Sequence, residues 1–316
     1  MKRRSFIRNS ALGSLALTIP AIRSFGNSFT ADFQIPKRTL GKTDEELSVI
    51  GFGGIMLNNN RQDFANELVA KAYDLGVNYY DVAPNYGNAQ EKLGPALKPF
   101  RKNSFLACKT HMRDAVGAQN TLEDSLMKLQ TDYFDLYQLH ALSSVEQVEQ
   151  VFGAGGAMET IIKAKKDGKI KYVGFSAHSV DAALLAMNNY DFDSILFPIN
   201  FACWNAGNFG PQVYDEAEKR GMGILALKAM ALTPLKSGEE KIFKNVWYRP
   251  IQDEEIMKMA LKYTLSKNIT AAVPPGKNTL FLKALEFMNE YKPITENETS
   301  KLLALSKVTK PIFMHA

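Results

Sequence analysis

The sequence has little of what metal centres and disulfide frameworks require. Its 316 residues include two cysteines, too few for a disulfide framework, a zinc ribbon or a cysteine-ligated iron–sulfur cluster. Its four histidines lack the spacing of a metal-binding helix, in which two histidines share one face. We therefore expect no metal cofactor, and we expect Cys108 and Cys203 to remain unbridged. With 46% hydrophobic and 22% charged residues, the composition is that of an ordinary globular protein.

The body of the chain also lacks excess positive charge. The formal charge of +5 comes from five basic residues in an N-terminal stretch without acid, namely Lys2, Arg3, Arg4, Arg8 and Arg23. Without them, 33 basic residues stand against 33 acidic residues. A basic surface for nucleic acid is therefore not indicated, and we expect no nucleic-acid partner.

The uncharged run within residues 1–26 is too short to span a membrane. Arg3 and Arg4 precede an uncharged run over residues 9–22, whereas a spanning helix needs roughly 20 apolar residues. Small residues near 24–27 offer a cleavage site. The stretch resembles a twin-arginine (Tat) signal peptide, which implies the Tat translocon as a partner, a periplasmic or exported location and no stable membrane anchor. The alternative is a basic amphipathic helix.

From about Arg38 onward, apolar strand-like runs alternate with amphipathic helical stretches. The predicted strands are residues 47–52, 77–81, 104–109, 133–140, 170–175, 194–199, 223–227 and 269–273. The predicted helices are residues 64–75, 89–97, 121–129, 145–166, 180–187, 211–220, 254–265 and 279–288, with a terminal helix over 295–305.

This alternation predicts parallel strands joined by right-handed crossovers. Eight such units indicate a (β/α)8 barrel, which we expect to form a single domain over residues 27–316. The competing fold is a doubly wound sheet. It is disfavoured because Gly51-Phe52-Gly53-Gly54 lacks the third glycine of a dinucleotide-binding fingerprint.

Titratable residues stand at the carboxyl ends of three consecutive predicted strands. Asp81 ends the second strand with Tyr86 just beyond it, Lys109 ends the third and His140 ends the fourth. Since a barrel carries its chemistry at that end, we expect the four side chains to be neighbours. A lysine held charged by an aspartate lowers the pKa of a nearby tyrosine, and a neutral histidine donates to a carbonyl oxygen. The set suits protonation of a carbonyl oxygen while hydride reaches its carbon. The alternative is a structural Asp–Lys pair beside an unrelated tyrosine and histidine.

These residues lie in motifs that resemble those of aldo-keto reductases. The similar segments, in order, are residues 38–41, 48–54, 81–88, 91–94, 107–110, 132–140 and 168–176. The resemblance implies NAD(P)H-dependent reduction of an aldehyde or ketone. It assigns Tyr86 as general acid, Asp81 and Lys109 as the groups that tune its pKa, and His140 as the group that orients the carbonyl.

The resemblance also implies a nicotinamide nucleotide, NADP(H) or NAD(H), held at the rim of the barrel. The candidate binding residues are Gly54, Met56, Asp81, Ser176, His178, Asn200, Lys228, Gly276 and Lys277. His178 stands where the family usually has asparagine, and it either replaces that residue or starts the next helix. Lys228 either reaches the pyrophosphate or is a solvated strand-end lysine. Leu282 replaces the arginine that often grips the 2′-phosphate, which leaves Lys277 or Lys283 as substitutes and the choice of NADP or NAD open.

Residues 228–252 form a connection far longer than usual and are predicted to shape the substrate pocket. Trp247 and Tyr248 either cap that pocket or pack the loop, and Trp204 is expected at the same mouth. Stacked aromatic rings suit the faces of a sugar, so we favour a sugar-derived carbonyl as substrate.

Two other functions remain open. The altered cofactor residues fit a nicotinamide-nucleotide-binding redox-sensing or regulatory protein with little turnover. A barrel enzyme that uses Lys109 as a Schiff-base amine would leave Tyr86 and His140 in supporting roles.

Overall fold

A computed structural model describes Phe29 and residues 33–316, so the predicted export signal lies outside the described residues. In this part of the chain, no helix is long and apolar enough to cross a membrane. Its strands are β1 (Lys37–Thr39), β2 (Glu46–Ser48), β3 (Phe52–Gly53), β4 (Tyr79–Asp81), β5 (Phe105–Thr110), β6 (Phe134–Leu142), β7 (Ile170–Ala177), β8 (Ser194–Pro198), β9 (Gly223–Leu227), β10 (Ala231–Pro234), β11 (Tyr248–Pro250) and β12 (Ala271–Val273).

Eight of these strands form a parallel barrel. Strands β3 to β9 pair with their neighbours in chain order, and β12 pairs with β9. A parallel bridge between Ile50 and Ala272 brings the first and last strands together, and the Gly51 N–H donates to the Ala272 carbonyl at 2.9 Å. The predicted (β/α)8 architecture is confirmed.

Helices connect the strands and cover the outside of the barrel. They are α1 (Gln62–Asp74), α2 (Ala89–Leu97), α3 (Ala115–Leu129), α4 (Val145–Phe152), α5 (Ala157–Lys166), α6 (Val180–Asn189), α7 (Phe201–Ala206), α8 (Pro211–Lys219), α9 (Glu254–Leu265), α10 (Asn278–Asn289) and α11 (Glu296–Val308). Several begin at a side-chain cap that accepts a free backbone N–H, including Asp114 before α3, Ser144 before α4 and Ser179 before α6.

The predicted helix over residues 145–166 is wrong, because the structure has two helices there. Residues 153–156 separate α4 from α5, and Gly155 in this segment has a φ of +71°. A Cβ on Gly156 would lie 2.4 Å from the carbonyl oxygen of Val151. Glycine is therefore required at this break, which the apolar spacing of the sequence does not reveal.

The predicted first strand, residues 47–52, is divided between two structures. Strand β2 pairs antiparallel with β1, and only β3 enters the barrel. Leu40 and Leu47 of this hairpin region are fully buried in the same cluster as Tyr79, Phe105 and Leu136 of the barrel interior. The hairpin thus covers the amino-terminal end of the barrel, and the open end for a ligand is the opposite one.

The long segment after β9 folds as a second hairpin. Strands β10 and β11 pair antiparallel, and Ala231, Val246 and Tyr248 form a small buried cluster with Ile312 from the C-terminal tail packed against it. This packing fixes Trp247 and Tyr248 at the carboxyl end of the barrel.

Candidate active site

An ion pair between Asp81 and Lys109 lies inside the carboxyl end of the barrel. Both side chains are buried, and the Lys109 ammonium donates to Asp81 Oδ1. Burial alone lowers the pKa of Lys109, but the nearby Asp81 and Tyr86 outweigh it, so the pKa is raised. Lys109 therefore carries its charge at neutral pH, with Asp81 as its counter-ion.

Tyr86 lies in the loop after β4, beside this ion pair. The Lys109 ammonium is 5.4 Å from the centre of the Tyr86 ring. Burial raises the pKa of Tyr86, the positive charge of Lys109 lowers it, and the net pKa is raised. The phenol is therefore protonated at neutral pH, with a cation placed to stabilise the phenolate that remains once the proton leaves.

His140 faces Tyr86 from the end of β6. The two ring centres are 5.9 Å apart, with planes at 82°. Burial, and then the positive charge of Lys109, holds the pKa of His140 well below its ordinary value. The imidazole is therefore neutral and has one N–H to donate. The structure brings together the four residues that the strand ends predicted.

Two further residues support Asp81 and were missed by the sequence reading. The Tyr79 hydroxyl and the Gln138 amide each donate to Asp81 Oδ2 at 3.3 Å. Gln138 lies two positions before His140 on β6, and Tyr79 lies two positions before Asp81 on β4, so each pair shares a strand face. A polar residue at that spacing in an otherwise apolar strand is the signal that would have found Gln138.

A cavity of about 370 Å³ opens above this group. This volume suits a small ligand or the reactive end of a larger one. The residues that line it include Tyr86, His140, Ser176, His178, Lys228, Trp247, Tyr248 and Gly276.

Ser176 and His178 come from the end of β7. Ser176 Oγ accepts the Ala141 N–H at 2.7 Å. Burial, and then the charge of Lys228, lowers the pKa of His178 to about 4, so this ring is also neutral. His178 lines the cavity and immediately precedes Ser179, the N-cap of α6.

Lys228 brings an ammonium group to the cavity wall without a carboxylate partner among the described residues. Its Nζ lies 5.4 Å from the Trp247 ring centre and 5.0 Å from that of Tyr248. Burial lowers the pKa of Lys228 to about 8. Its backbone has a φ of +68°, which is uncommon for a residue other than glycine. An unpaired cation in a cavity is suited to an anionic ligand.

A second cavity, of about 530 Å³, adjoins the first. Met56, Lys277 and Gly276 are among its lining residues, and Gly276 lines both cavities. Asn245 crosses between them and donates to the Ile55 carbonyl at 3.0 Å. A Cβ on Gly276 would lie 2.7 Å from Ile55 Cγ2, so a larger residue would narrow this junction.

Gly54 lies against Asp81 rather than in the open cavity. A Cβ there would lie 2.9 Å from Val82 Cγ2 and 3.0 Å from the Asp81 carbonyl oxygen.

The side chain of Asn200 forms hydrogen bonds with backbone groups. Its amide donates to the carbonyls of Lys228 at 3.0 Å and Ala231 at 2.8 Å, while its oxygen caps α7. Asn200 therefore holds the turn that carries Lys228.

The structure does not bring Trp204 to the cavity, contrary to the expectation from the sequence. Trp204 lies on α7, a short helix that the sequence reading missed. Its ring packs against Tyr214 at 5.5 Å between ring centres and under the Lys267 ammonium at 4.4 Å. Phe313 of the C-terminal tail instead backs the cavity wall, 5.1 Å from His178 and 5.7 Å from Trp247 between ring centres.

Over the described residues, no cluster of three or more histidine, cysteine or acidic side chains is arranged to hold a metal ion. Both cysteines are buried and unbridged. Burial raises the pKa of each thiol to about 11, so neither is a reactive thiolate at neutral pH.

Comparison with known proteins identifies the family of this barrel. The profile of the aldo/keto reductase family matches residues 49–245. L-galactose dehydrogenase of Arabidopsis thaliana is 21% identical over 278 residues, covering 78% of this chain and 85% of that protein. The oxidoreductase YqkF of Bacillus subtilis is 30% identical over 155 residues, covering 45% of this chain and about half, 48%, of that protein.

Solved structures give the same fold. The holo form of the aldo-keto reductase AKR11C1 from Bacillus halodurans superposes with a TM-score of 0.67 at 22% identity, covering 88% of this chain and 99% of that one. The family profile covers more than half of this chain and includes all four residues grouped at the end of the barrel. The chain therefore belongs to the aldo/keto reductase family of NAD(P)H-dependent oxidoreductases.

Proposed function

We propose that this protein reduces a small aldehyde or ketone, with Tyr86 as the proton donor. The observation that carries the proposal is that Tyr86 and His140 line one cavity together, with the buried Lys109 ammonium 5.4 Å from the centre of the Tyr86 ring. Each has the protonation state that the reaction needs: a protonated phenol, a charged ammonium and a neutral imidazole.

The roles follow from these states. The neutral His140 donates its N–H to the carbonyl oxygen and orients it toward Tyr86. The Tyr86 hydroxyl gives its proton to the same oxygen, and the Lys109 ammonium stabilises the phenolate left behind. Asp81 keeps Lys109 charged and in position. A nicotinamide nucleotide, when bound, would supply the hydride that the carbonyl carbon accepts.

The adjoining cavities fit such a nucleotide. Ser176 and His178 line the same cavity as Tyr86 and His140, where they are suited to the nicotinamide amide. Lys228 supplies an unpaired positive charge for the pyrophosphate, and Asn200 supports it from behind. Gly276 keeps the junction of the two cavities open, Met56 lines the second cavity, and Gly54 packs against the strand end that carries Asp81.

Lys277 is the better candidate for a 2′-phosphate. It lines the second cavity directly before α10, where the free backbone N–H groups of the helix favour an anion. Lys283 is engaged with Glu254 at 3.2 Å and Glu286 at 3.0 Å. Leu282, at the position of the usual arginine, is buried. We therefore propose NADP(H) as the preferred nucleotide, held by Lys277.

We propose a sugar-derived carbonyl as substrate. Trp247 is 43% exposed and meets Tyr248 edge-on at the cavity wall, which provides an apolar face beside polar groups. Such a wall suits the mixed faces of a sugar. The similarity to a plant L-galactose dehydrogenase supports the same class.

We propose that residues 1–26 direct export through the Tat translocon to the periplasm. This rests on the twin arginine and the uncharged run that follows it. Because the Tat route carries folded proteins, the enzyme would leave the cytoplasm with its nucleotide bound. Fusion of residues 1–26 to a reporter protein tests the export signal, with the double variant Arg3→Lys and Arg4→Lys as the control.

The experiment for the activity uses residues 27–316. NADPH and NADH are titrated by intrinsic fluorescence, and reduction of 4-nitrobenzaldehyde and oxidation of L-galactose are then followed at the nicotinamide absorbance. We expect Tyr86→Phe to lower kcat by about 10²- to 10⁴-fold with nucleotide affinity unchanged. Tyr80→Phe is the matched control, since Tyr80 is buried on β4, the strand that precedes the Tyr86 loop, and its hydroxyl donates to the Val77 carbonyl.

The outcomes separate the alternatives. Tight nucleotide binding without turnover of any carbonyl would favour the redox-sensing or regulatory protein. Failure to bind either nucleotide would remove the reductase proposal. Schiff-base chemistry at Lys109 is opposed by its buried ion pair with Asp81, which keeps the amine protonated. A borohydride-trapped adduct at Lys109 would contradict that argument.

A further inference from the structure

The backbone that carries His140 departs from regular strand geometry. In the pairing of β6 with β7, Leu139 lies opposite Phe175 and Leu142 opposite Ala177, so His140 and Ala141 have no register partner. Ala141 has a φ of +54°, an uncommon conformation for a residue other than glycine. The position of the His140 ring therefore depends on contacts from outside the strand.

Ser176 Oγ accepts the Ala141 N–H at 2.7 Å, and Arg113 binds the carbonyl groups of the same two residues. Its Nη2 donates to the carbonyls of His140 at 2.8 Å and Ala141 at 3.3 Å, and to Gln147 Oε1 at 3.1 Å. Arg113 has no ion pair with a carboxylate in the part of the chain that the structure describes. Its guanidinium thus binds two consecutive backbone carbonyls rather than neutralising an acid.

The loop that carries Arg113 is itself fixed by the break between α4 and α5. The Ala157 N–H donates to the Arg113 carbonyl at 2.8 Å, and the Ala115 N–H donates to the Gly155 carbonyl at 2.8 Å. Asp114 and Gly156 form an antiparallel bridge between these contacts. The glycine-rich interruption of the predicted long helix therefore provides the surface on which the Arg113 loop docks.

We propose that Arg113 is the positioning residue of His140, holding the His140–Ala141 backbone so that the imidazole faces the substrate carbonyl. The inference rests on the proposed role of His140 in carbonyl reduction. A guanidinium suits this task because its donors are planar and rigid, and because it stays charged at any working pH. The positive charge of Arg113 also helps to keep His140 neutral, after burial, Lys109 and His178.

The test uses single-turnover reduction of 4-nitrobenzaldehyde at saturating NADPH in the variants Arg113→Met and Arg113→Lys. We expect Arg113→Met to slow reduction by about 10- to 100-fold, because small displacements of an orienting group have effects of that size. NADPH affinity should be unchanged, and Arg113→Lys should recover part of the rate. Arg38→Met is the matched control, since Arg38 binds the carbonyls of Leu265 and Ile269 at the opposite end of the barrel.

A double-mutant cycle with His140→Gln distinguishes positioning from general damage. If Arg113 acts through His140, Arg113→Met should have almost no further effect in the His140→Gln background. Independent, additive losses would overturn the proposal. An Arg113→Met enzyme that reacts at the wild-type rate would also overturn it. This holds even if the melting temperature of that variant is lower, which is the result expected for Arg38→Met.

A measurement independent of turnover keeps this inference separable from the proposed function. The ring ¹⁵N signals of the four histidines are recorded in labelled protein, and His140 is assigned with His140→Gln. Arg113→Met should shift the His140 signals, whereas Arg38→Met should not. Unchanged His140 signals would overturn the positioning role even if the enzyme were active. Shifted signals in a protein that reduces no carbonyl would support the contact while the proposed function failed.

Discussion

Replacement of Lys228 by methionine should make the protein more stable and its nucleotide affinity weaker. Lys228 is partly buried, and its ammonium contacts the rings of Trp247 and Tyr248 with no carboxylate partner among the described residues. Methionine retains much of the apolar stem and removes the charge. The substitution therefore isolates the energetic contribution of that charge.

The expected gain in stability follows from the pKa of Lys228, which burial lowers from 10.5 to about 8. At about 1.36 kcal/mol per pKa unit, the folded state disfavours the ammonium by roughly 3 kcal/mol relative to the unfolded chain. Solvent around the partly exposed side chain reduces this figure, and each cation–π contact opposes it by about 0.5–1 kcal/mol. We expect Lys228→Met to raise the free energy of unfolding by about 1 kcal/mol at neutral pH.

The pH dependence has a defined sign. Below about pH 8, Lys228 is charged in both the folded and unfolded states, so the wild type carries the full penalty. Between about pH 8 and the ordinary value of 10.5, the folded protein loses the proton first, and the penalty disappears as the pH rises. The advantage of the variant should therefore shrink over that range.

Nucleotide binding should change in the opposite direction. A hydrogen bond to a charged group contributes about 1.5–3 kcal/mol, so Lys228→Met should weaken NADH binding by about 10- to 100-fold at neutral pH. Wild-type affinity should fall as the pH rises through about 8, because the free protein loses the ammonium. Lys228→Arg should remove that fall. NADH is the appropriate ligand because it lacks the 2′-phosphate assigned to Lys277.

Urea unfolding and fluorescence titration from about pH 6.5 to about pH 9.5 measure both effects in the same samples. Unchanged NADH affinity in Lys228→Met would refute the anion-binding role. A variant less stable than wild type at neutral pH would show that the two aromatic rings more than compensate for burial of the ammonium, and the electrostatic reasoning would then be incorrect.

Three further outcomes are expected. Asp81→Asn leaves Lys109 buried without its counter-ion, so it should lower the free energy of unfolding measured in urea by about 3–5 kcal/mol. The same variant should also lose carbonyl reduction. Gly54→Ala should lower kcat by about 10-fold or more in steady-state assays, because its Cβ would meet the Asp81 carbonyl oxygen at 3.0 Å and displace that strand end. Cys108 and Cys203 should resist a thiol-reactive dye in native protein at neutral pH and react fully in urea, since both are buried with pKa values of about 11.

The barrel could be predicted because each of its units repeats the same local pattern. A buried parallel strand is apolar, the following helix is amphipathic, and the polar residue that ends the strand must find a partner at the rim. Asp81 and Lys109 pair with each other at the rim, and the structure brings His140 and Tyr86 next to them. The two-residue period of a strand also places Gln138 on the same face as His140. Gln138 was not identified from the sequence as a hydrogen-bond partner of Asp81.

What the sequence did not reveal depends on contacts between distant segments. The apolar spacing of residues 145–166 continues across the break, so only the tertiary approach of Asp114 to Gly156 explains two helices. Trp204 was assigned to the pocket from its place after a strand, but α7 turns it toward Tyr214. The junction of the two cavities depends on Asn245 reaching Ile55, 190 positions apart in sequence. No local pattern encodes such a contact.

The two lysines at the rim differ in what they require from the protein. Lys109 lies beside Tyr86, the proposed proton donor, where the proposed reaction requires a charged ammonium, and Asp81 supplies its counter-ion. Lys228 has no such partner, and its ammonium destabilises the fold until an anion binds. Because a bound anion raises the pKa of Lys228, ligand binding removes a penalty that the free protein carries. At the same NADH concentration, well above the wild-type Kd, NADH should therefore raise the melting temperature of wild type more than that of Lys228→Met, and equal shifts would mean that the nucleotide does not contact this lysine.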